Sequence, residues 1–326
     1  MTTRAGINAR GRNRLQATRR RSSSFAAGSG RKTALAAYAF ILPGFALYGL
    51  IMLYPTVQTL LLSLRNWQIA PGADSPWVGL DNYVRAFSDP IFLNSLVNAA
   101  IYTAVTVPAQ IAIGLYLAAL LDSKLPGRVV FRVLFYLPVV TSWVVVSLLF
   151  RYIFSSTGGV ANWLGVDVLH VFSGDVSWFQ GRWTALFAIC ALGIWKGVGW
   201  SMVIFLAALT AVPQELHEAA AIDGAGALQR FRYISIPTIK ATMVVVVILL
   251  VIGGFNVFIS VLLMSGGGPD NQTQVPLTYM YNEAFKYLNF GYGSAISFTL
   301  TLVVLVISAI QFWWTRRSTR GEGQTW

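Results

Sequence analysis

The sequence has few charged residues, a single cysteine and only two histidines. Charged residues make up 11% of its 326 positions, against roughly 25% in soluble domains. One cysteine, Cys190, excludes an internal disulfide and a cysteine-cluster metal site. His170 and His217 fall in different predicted compartments, so a paired-histidine metal site is also excluded. These absences argue against a soluble enzyme and against a metalloprotein.

Catalytic and nucleotide-binding signatures are missing as well. The chain contains no G-x-S-x-G, no H-E-x-x-H and no G-x-x-x-x-G-K-[ST] phosphate loop. We therefore predict that the protein is not an enzyme, and that any energy source for its activity lies in another chain.

Apolar runs dominate the remaining sequence. Hydrophobic residues make up 56% of the chain, and its mean hydropathy is +0.61. Six runs are each long enough to cross a bilayer, which takes about 20 residues per helix. They lie near Ala34 to Tyr54, Leu96 to Leu121, Val129 to Phe154, Trp183 to Leu209, Thr242 to Leu263 and Ile296 to Trp314. Because no ten-residue stretch alternates with period two, a β-barrel is excluded. The sequence predicts an all-α membrane protein with six transmembrane helices.

The basic residues lie mostly on one side of these runs. Since cytoplasmic loops are enriched in lysine and arginine, this side is predicted to be cytoplasmic, together with both termini. Its basic residues are Arg4, Arg10, Arg12, Arg14, Arg19, Arg20, Arg21, Arg31, Lys32, Lys124, Arg128, Arg132, Arg230, Arg232, Lys240, Arg316, Arg317 and Arg320.

Residues 1–32 form an Arg-rich segment without acidic residues, which predicts a disordered cytoplasmic tail. Its charge favours a topology determinant that lies against anionic lipid headgroups. An organelle transit peptide has the same composition and stays an alternative. Phe25 is its only aromatic residue, which disfavours a nucleic-acid partner.

A polar segment, residues 212–241, separates the fourth and fifth runs. Pro213 fits the first turn of a helix, and Asp223-Gly224-Ala225-Gly226 supplies residues that end one. A second helix from Leu228 directs Phe231 and Ile234 towards the membrane. The pattern predicts a cytoplasmic helix-turn-helix.

The motif positions Glu218-Ala219-Ala220, Asp223-Gly224-Ala225, Phe231 and Ile234-Ser235-Ile236-Pro237 closely resemble the EAA loop of binding-protein-dependent ABC importer permeases. In that family the loop docks into a groove of the ATPase subunit. The resemblance covers about residues 33–317 and is nearest to the carbohydrate-uptake branch, of the maltose- or glycerol-phosphate-permease first-subunit type. Further matching stretches are Ile41-Leu42-Pro43, Tyr54-Pro55, Val78-Gly79-Leu80-Asp81-Asn82-Tyr83 and Gly266-Gly267-Gly268-Pro269.

The resemblance implies a permease subunit of an ATP-driven importer in a bacterial cytoplasmic membrane. It would form the translocation path for a sugar or sugar-like solute that an extracytoplasmic binding protein delivers. Its implied partners are a second permease subunit in a heterodimer and two ATP-binding subunits, which bind ATP and magnesium, so no cofactor is expected in this chain. Residues 33–317 would be the permease domain, with a coupling loop at 212–241 and a cytoplasmic tail at 318–326. The implied ATPase-coupling residues are Glu218, Ala219, Ala220, Asp223 and Gly224.

Four residues of the fourth and fifth runs are candidate cargo contacts: Lys196, Gly197, Trp200 and Asn256. An ionisable group at membrane depth is costly, so Lys196 is expected to face a cavity or a partner, although it could also snorkel to the interface. Gly193 and Gly197 also form a helix-packing face. Asn256 could instead bond across helices, and the tryptophans could form an interfacial belt.

Two other functional classes stay open from the residues alone. A self-sufficient secondary transporter is expected to carry intramembrane carboxylates, and the six runs contain none. A membrane-embedded enzyme needs a catalytic cluster at membrane depth, which Lys196 and Arg151 do not form. The sequence does not identify the sugar.

Overall fold

The computed structural model describes residues 30–67, 75–123 and 126–320, with side chains described from residue 37 to residue 315 of these ranges. It forms two compact units, divided between Leu61 and Leu62. The predictions for residues 1–29 and 321–326 lie outside the described residues, as do those for residues 68–74 and Lys124. The domain division at residues 32 and 317 stays a prediction.

The described ranges are mostly helical and carry no strand, apart from an isolated bridge between Arg65 and Trp77. The helices are α1 (Gly30–Tyr48), α2 (Tyr54–Ser63), α3 (Asp81–Ser88), α4 (Pro90–Asp122), α5 (Arg128–Val140), α6 (Trp143–Ile153), α7 (Val160–Asn162), α8 (Arg182–Thr210), α9 (Gln214–Ile222), α10 (Ala227–Arg230), α11 (Ile236–Thr238), α12 (Lys240–Phe255), α13 (Ile259–Met264), α14 (Pro276–Tyr281) and α15 (Phe290–Arg320). Shorter π-helical turns follow α1, α7, α10 and α14, at Gly49–Leu53, Trp163–Val168, Phe231–Ser235 and Asn282–Lys286.

Helices long and apolar enough to cross a membrane occur at five places in the described chain. They are Ala37–Ser63, Pro90–Asp122, Arg182–Thr210, Lys240–Met264 and Phe290–Thr315. A sixth crossing is possible only if α5 and α6, which meet at 95°, together form one span. The all-α membrane fold predicted from the sequence is thus confirmed.

The third predicted span, Val129 to Phe154, consists of two helices, α5 and α6, that meet at 95°, and not of one continuous helix. The helix breaks after Val140, because Thr141 and Ser142 both adopt extended backbone conformations. Pro138 lies in the last turn of α5 and has no N–H to continue the helical ladder. Apolar composition alone does not reveal such a break.

The predicted ends of other spans also shift. The second begins at Pro90 rather than Leu96, because Asp89 caps it: its Oδ1 accepts from the backbone N–H of Ile91 at 2.8 Å and of Phe92 at 3.4 Å. An N-terminal cap of this type extends a helix beyond its apolar stretch.

The packing of α4 against α8 forms the centre of the larger unit. Glycines allow the two helices to approach closely. A Cβ at Gly193 would collide with the Tyr102 hydroxyl, and one at Gly197 would collide with the Gln110 side chain. The packing role predicted for these two glycines is confirmed. Helix α8 runs unbroken for 29 residues and ends only a few residues before α9.

Asp89 also ties three helices together at the end of the bundle where α4 begins. Its Oδ2 accepts hydrogen bonds from the hydroxyls of Tyr279 on α14 at 2.5 Å and Tyr292 on α15 at 2.7 Å. Burial raises the pKa of the Asp89 carboxyl, but these bonds and those from the Ile91 and Phe92 amides outweigh it, so its pKa lies below the usual value.

We expect Asp89→Asn to lower the free energy of unfolding by about 2 kcal/mol at neutral pH, since bonds to a charged acceptor are replaced by neutral ones. Asparagine keeps the helix cap, so the change in the free energy of unfolding measures the weakening of the hydrogen bonds from Tyr279 and Tyr292. Because the pKa of Asp89 is lower in the folded than in the unfolded protein, its contribution to the free energy of unfolding is fully present above the unfolded pKa of about 4. This contribution is lost as the pH falls through the folded pKa. Thermal unfolding in detergent checks this, with exposed Asp81→Asn as control. Equal melting temperatures for Asp89→Asn and wild type at neutral pH would contradict it.

Candidate functional site

A cavity of about 320 Å³ lies between α4, α8, α12 and the break between α5 and α6. Three of the four candidate cargo residues, Lys196, Gly197 and Trp200, line it. The full lining is Tyr102, Thr106, Gln110, Val139, Trp143, Gly193, Lys196, Gly197, Trp200, Leu249, Leu250, Gly253 and Gly254.

A second cavity of about 330 Å³ shares Tyr102, Trp143 and Gly253 with the first, and we call the two the inner and outer lobes in that order. Asn256, the fourth candidate, lines the outer lobe, together with Phe258. No acidic side chain of the described residues lines either lobe. The sequence-predicted cargo residues therefore border one two-lobed space.

The outer lobe lies where the fifth span is interrupted. Helix α12 ends at Phe255 and α13 begins at Ile259, with Asn256 in between as the cap. The Asn256 Nδ2 donates to the Ile252 carbonyl at 2.8 Å, one turn back in its own helix. The interhelical bond considered for Asn256 is therefore not what the structure shows.

Lys196 contacts the broken end of α5 rather than the membrane interface. Its Nζ donates to the carbonyl oxygens of Thr141 at 2.6 Å, Pro138 at 2.8 Å and Val139 at 3.4 Å, and lies 4.9 Å from the centre of a Trp143 ring. The last carbonyls of a helix have no intrahelical partner, and a cation there also complements the helix dipole. With 3% of its surface exposed, Lys196 does not snorkel; it caps the break.

Polar residues of α4 complete the inner lobe and were not identified from the sequence. Tyr102, Thr106 and Gln110 are spaced four residues apart and thus share one helix face. This row of polar side chains in an otherwise apolar helix is the sequence feature that could have identified them as site residues. The Gln110 Nε2 donates to the Gly193 carbonyl at 3.4 Å.

The predicted coupling loop has the helix-turn-helix form expected from the sequence. Helix α9 ends at Ile222, and Gly224 follows with a φ of +82°, a conformation that glycine adopts without steric cost. The turn closes with a bond from the Ala225 N–H to the Ala220 carbonyl at 2.9 Å.

Helix α9 buries none of its residues in this chain. Of the predicted coupling residues, Glu218, Ala219, Asp223 and Gly224 are exposed and Ala220 is half-buried. The Glu218 carboxylate accepts a bond from the Gln214 amide at 2.9 Å. By contrast, Phe231 and Ile234 pack against the core formed by α8 and α12, as predicted.

The loop also exposes large apolar side chains. The exposed fractions are 87% for Ile222, 78% for Leu228 and 71% for Tyr233. Such a group beside an uncovered helix is typical of a protein-binding surface. We call Ile222, Leu228 and Tyr233 the apolar ridge.

Comparison with known proteins agrees with these features. Residues 110–321 match the family described as binding-protein-dependent transport system inner membrane component. The chain is similar to the probable ABC transporter permease protein YurN of Bacillus subtilis (strain 168), with 34% identity over 281 residues, 84% of this chain and 94% of the relative. It is also similar to the arabinooligosaccharides transport system permease protein AraP of Halalkalibacterium halodurans, with 34% identity over 87% of this chain and 89% of the relative.

Among solved structures, a bacterial alginate ABC transporter in complex with an alginate pentasaccharide-bound periplasmic protein contains a similar chain. The TM-score is 0.75 over 88% of this chain and 96% of that one, at 21% identity. At this identity the similarity shows that the fold is shared.

Proposed function

Because the chain belongs to the family of binding-protein-dependent transport system inner membrane components and is the translocation subunit of an ABC importer, we propose that its cargo is a sugar. The observation that carries the proposal is the two-lobed cavity, in which the indoles of Trp143 and Trp200 lie near the amide of Gln110. Aromatic faces contact the apolar side of a sugar ring, while a few placed polar groups bind its hydroxyls. AraP, a relative named for arabinooligosaccharides, supports this class of cargo.

The cargo contacts proposed within this cavity are Gly197, Trp200 and Asn256. Gly197 leaves room for the Gln110 side chain, and Trp200 supplies an aromatic wall. Lys196 lines the same space, but its hydrogen bonds go to backbone carbonyls, so its part in transport is to hold the break.

The proposed assembly contains a second permease subunit, two ATP-binding subunits and an extracytoplasmic binding protein. The family description, which refers to a binding protein, supports the last of these, as does the alginate transporter solved with its periplasmic protein. ATP and magnesium would be bound by the ATPase subunits, and this chain would have no ATPase site. The family description as an inner membrane component supports a location in a bacterial cytoplasmic membrane, and the distribution of basic residues supports an orientation with both termini cytoplasmic.

The coupling loop is the proposed docking element for an ATPase subunit. Its exposed helix α9 presents Ala219, whose small side chain permits close approach, and Glu218, whose carboxylate suits a basic or polar groove. The apolar ridge lies on the same loop and supplies area to bury.

We expect Ile222→Asp to reduce recovery of the ATPase subunit about fivefold, because it places a charge in an apolar contact. Co-purification from detergent-solubilised membranes measures this. Leu80→Asp, at a residue that is 66% exposed but lies outside the loop, is the matched control. Full recovery of the ATPase with Ile222→Asp would exclude the ridge from docking.

Reconstitution of the whole complex in liposomes tests the proposed function. Sugar uptake that requires ATP, the ATPase subunits and the liganded binding protein is the expected result. Uptake by this chain alone under an ion gradient would contradict it.

A further inference from the structure

Two buried hydroxyls of the cavity, those of Tyr102 and Ser260, have no hydrogen-bond partner among the described residues, and Tyr102 is the one that lines both lobes. Tyr102 is only 5% exposed and lines both lobes. Neither a side chain nor a backbone group of the described residues hydrogen-bonds to its hydroxyl. The hydroxyl lies against Gly193, which itself lines the inner lobe. Buried tyrosine hydroxyls usually have a hydrogen-bond partner.

The ring of Tyr102 is held in place. It lies against Gly193, where any side chain would collide with the hydroxyl end of the ring. Its own backbone carbonyl accepts a bond from the Thr106 hydroxyl at 2.8 Å. The hydroxyl is therefore held beside Gly193 in the lining of the inner lobe before anything binds there, which reduces the entropy lost on binding.

Charge is the second relevant property of the cavity. Its lining in the described residues contains one cation, Lys196, and the ammonium donates to the carbonyls of Pro138, Val139 and Thr141. An ammonium has three N–H donors, so these bonds occupy it. The polar groups left to face cargo are neutral and include the Tyr102 and Ser260 hydroxyls, the Gln110 amide and the indoles.

We propose that the Tyr102 hydroxyl is a hydrogen-bonding contact to the cargo, and that the cavity takes an uncharged, polyhydroxylated cargo. A phenol both donates and accepts, so it matches a sugar hydroxyl in either orientation. A carboxylated sugar would find no free cationic partner among the described lining residues of this chain, and burying an unpaired carboxylate is costly. This inference rests on the proposed sugar-import function and specifies its cargo class.

Tyr102→Phe tests the contact, since it removes one oxygen and preserves the packing against Gly193. The complete complex is reconstituted with saturating liganded binding protein, and arabinotriose, lactose and maltose serve as neutral probes, with digalacturonate as the charged one. We expect uptake of the imported neutral sugar to fall about tenfold, the effect of losing one good hydrogen bond, with ATP hydrolysis and melting temperature unchanged.

Tyr116→Phe is the matched control, because Tyr116 lies on the same helix, is 63% exposed and lines neither lobe. Wild-type uptake by Tyr102→Phe would overturn the contact, and preferential import of digalacturonate by the wild type would overturn the neutral cargo class. If the wild type imports none of the four sugars, the proposed sugar function fails, and the inference fails with it.

Discussion

Gly224→Asp is expected to reduce cargo uptake roughly a hundredfold while the complex still assembles in the membrane and hydrolyses ATP. Gly224 has a φ of +82°, where a side chain costs about 1–2 kcal/mol. The added carboxylate also has to be desolvated at the docking surface, at a cost of several kcal/mol per ion. Together these effects change the orientation of α9 without releasing the ATPase, so that closure of the ATPase would no longer move the membrane helices.

Gly226→Asp provides the matched control. Gly226 lies two residues further on, with an ordinary φ of −68°, at the N-terminal cap of α10, where aspartate is favoured. It adds the same charge to the same loop without backbone strain. Normal uptake by Gly224→Asp, or equal loss in both variants, would contradict a role for the turn geometry.

Lys196→Met is expected to destabilise the protein by about 3 kcal/mol, since unpaired buried carbonyls cost about 1–3 kcal/mol each. The variant leaves the carbonyls of Pro138 and Thr141 without their donor at the 95° break. Uptake should fall in parallel, because Trp143 at the start of α6 lines both lobes. Thermal unfolding in detergent and uptake in liposomes measure the two effects.

Lys196→Gln separates a structural cap from a charged cargo contact. Glutamine keeps two N–H donors for the carbonyls but removes the charge. Partial recovery of both stability and uptake is expected. If Lys196→Met retains wild-type stability and only its affinity for cargo falls, the capping role is wrong.

The sequence was sufficient for the membrane fold, for most spans and for the form of the coupling loop. Composition and run length are properties of each segment alone, so the apolar spans could be read directly. Gly224 is also a local feature, because the need for a positive φ at a helix end selects glycine. The sequence also identified Lys196, Trp200 and Asn256 as candidate cargo residues, because they are polar or aromatic side chains within apolar helices.

The sequence did not indicate which groups these side chains contact. Lys196 stood out because of its charge, but its bonds reach carbonyls 55 to 58 residues away in the chain, and no local pattern encodes that distance. Tyr102 was not predicted as a site residue, because a tyrosine in an apolar run is common. Only the structure shows that its hydroxyl has no hydrogen-bond partner among the described residues. The break after Val140 was not predicted either, because the apolar composition continues through Thr141 and Ser142, whose extended backbone conformations end the helix.

The unbroken helix α8 runs from the cavity to the start of the coupling loop. From Lys196 to Thr210 the helix extends about 21 Å at 1.5 Å per residue, and α9 begins just beyond its end. If docking of the ATPase at α9 changes the affinity of the cavity for cargo, then cargo must change the affinity for the docked ATPase by the same factor. Under the proposed docking, a cargo that favours one docked state would contribute a measurable free energy to the binding between the permease and the ATPase subunit.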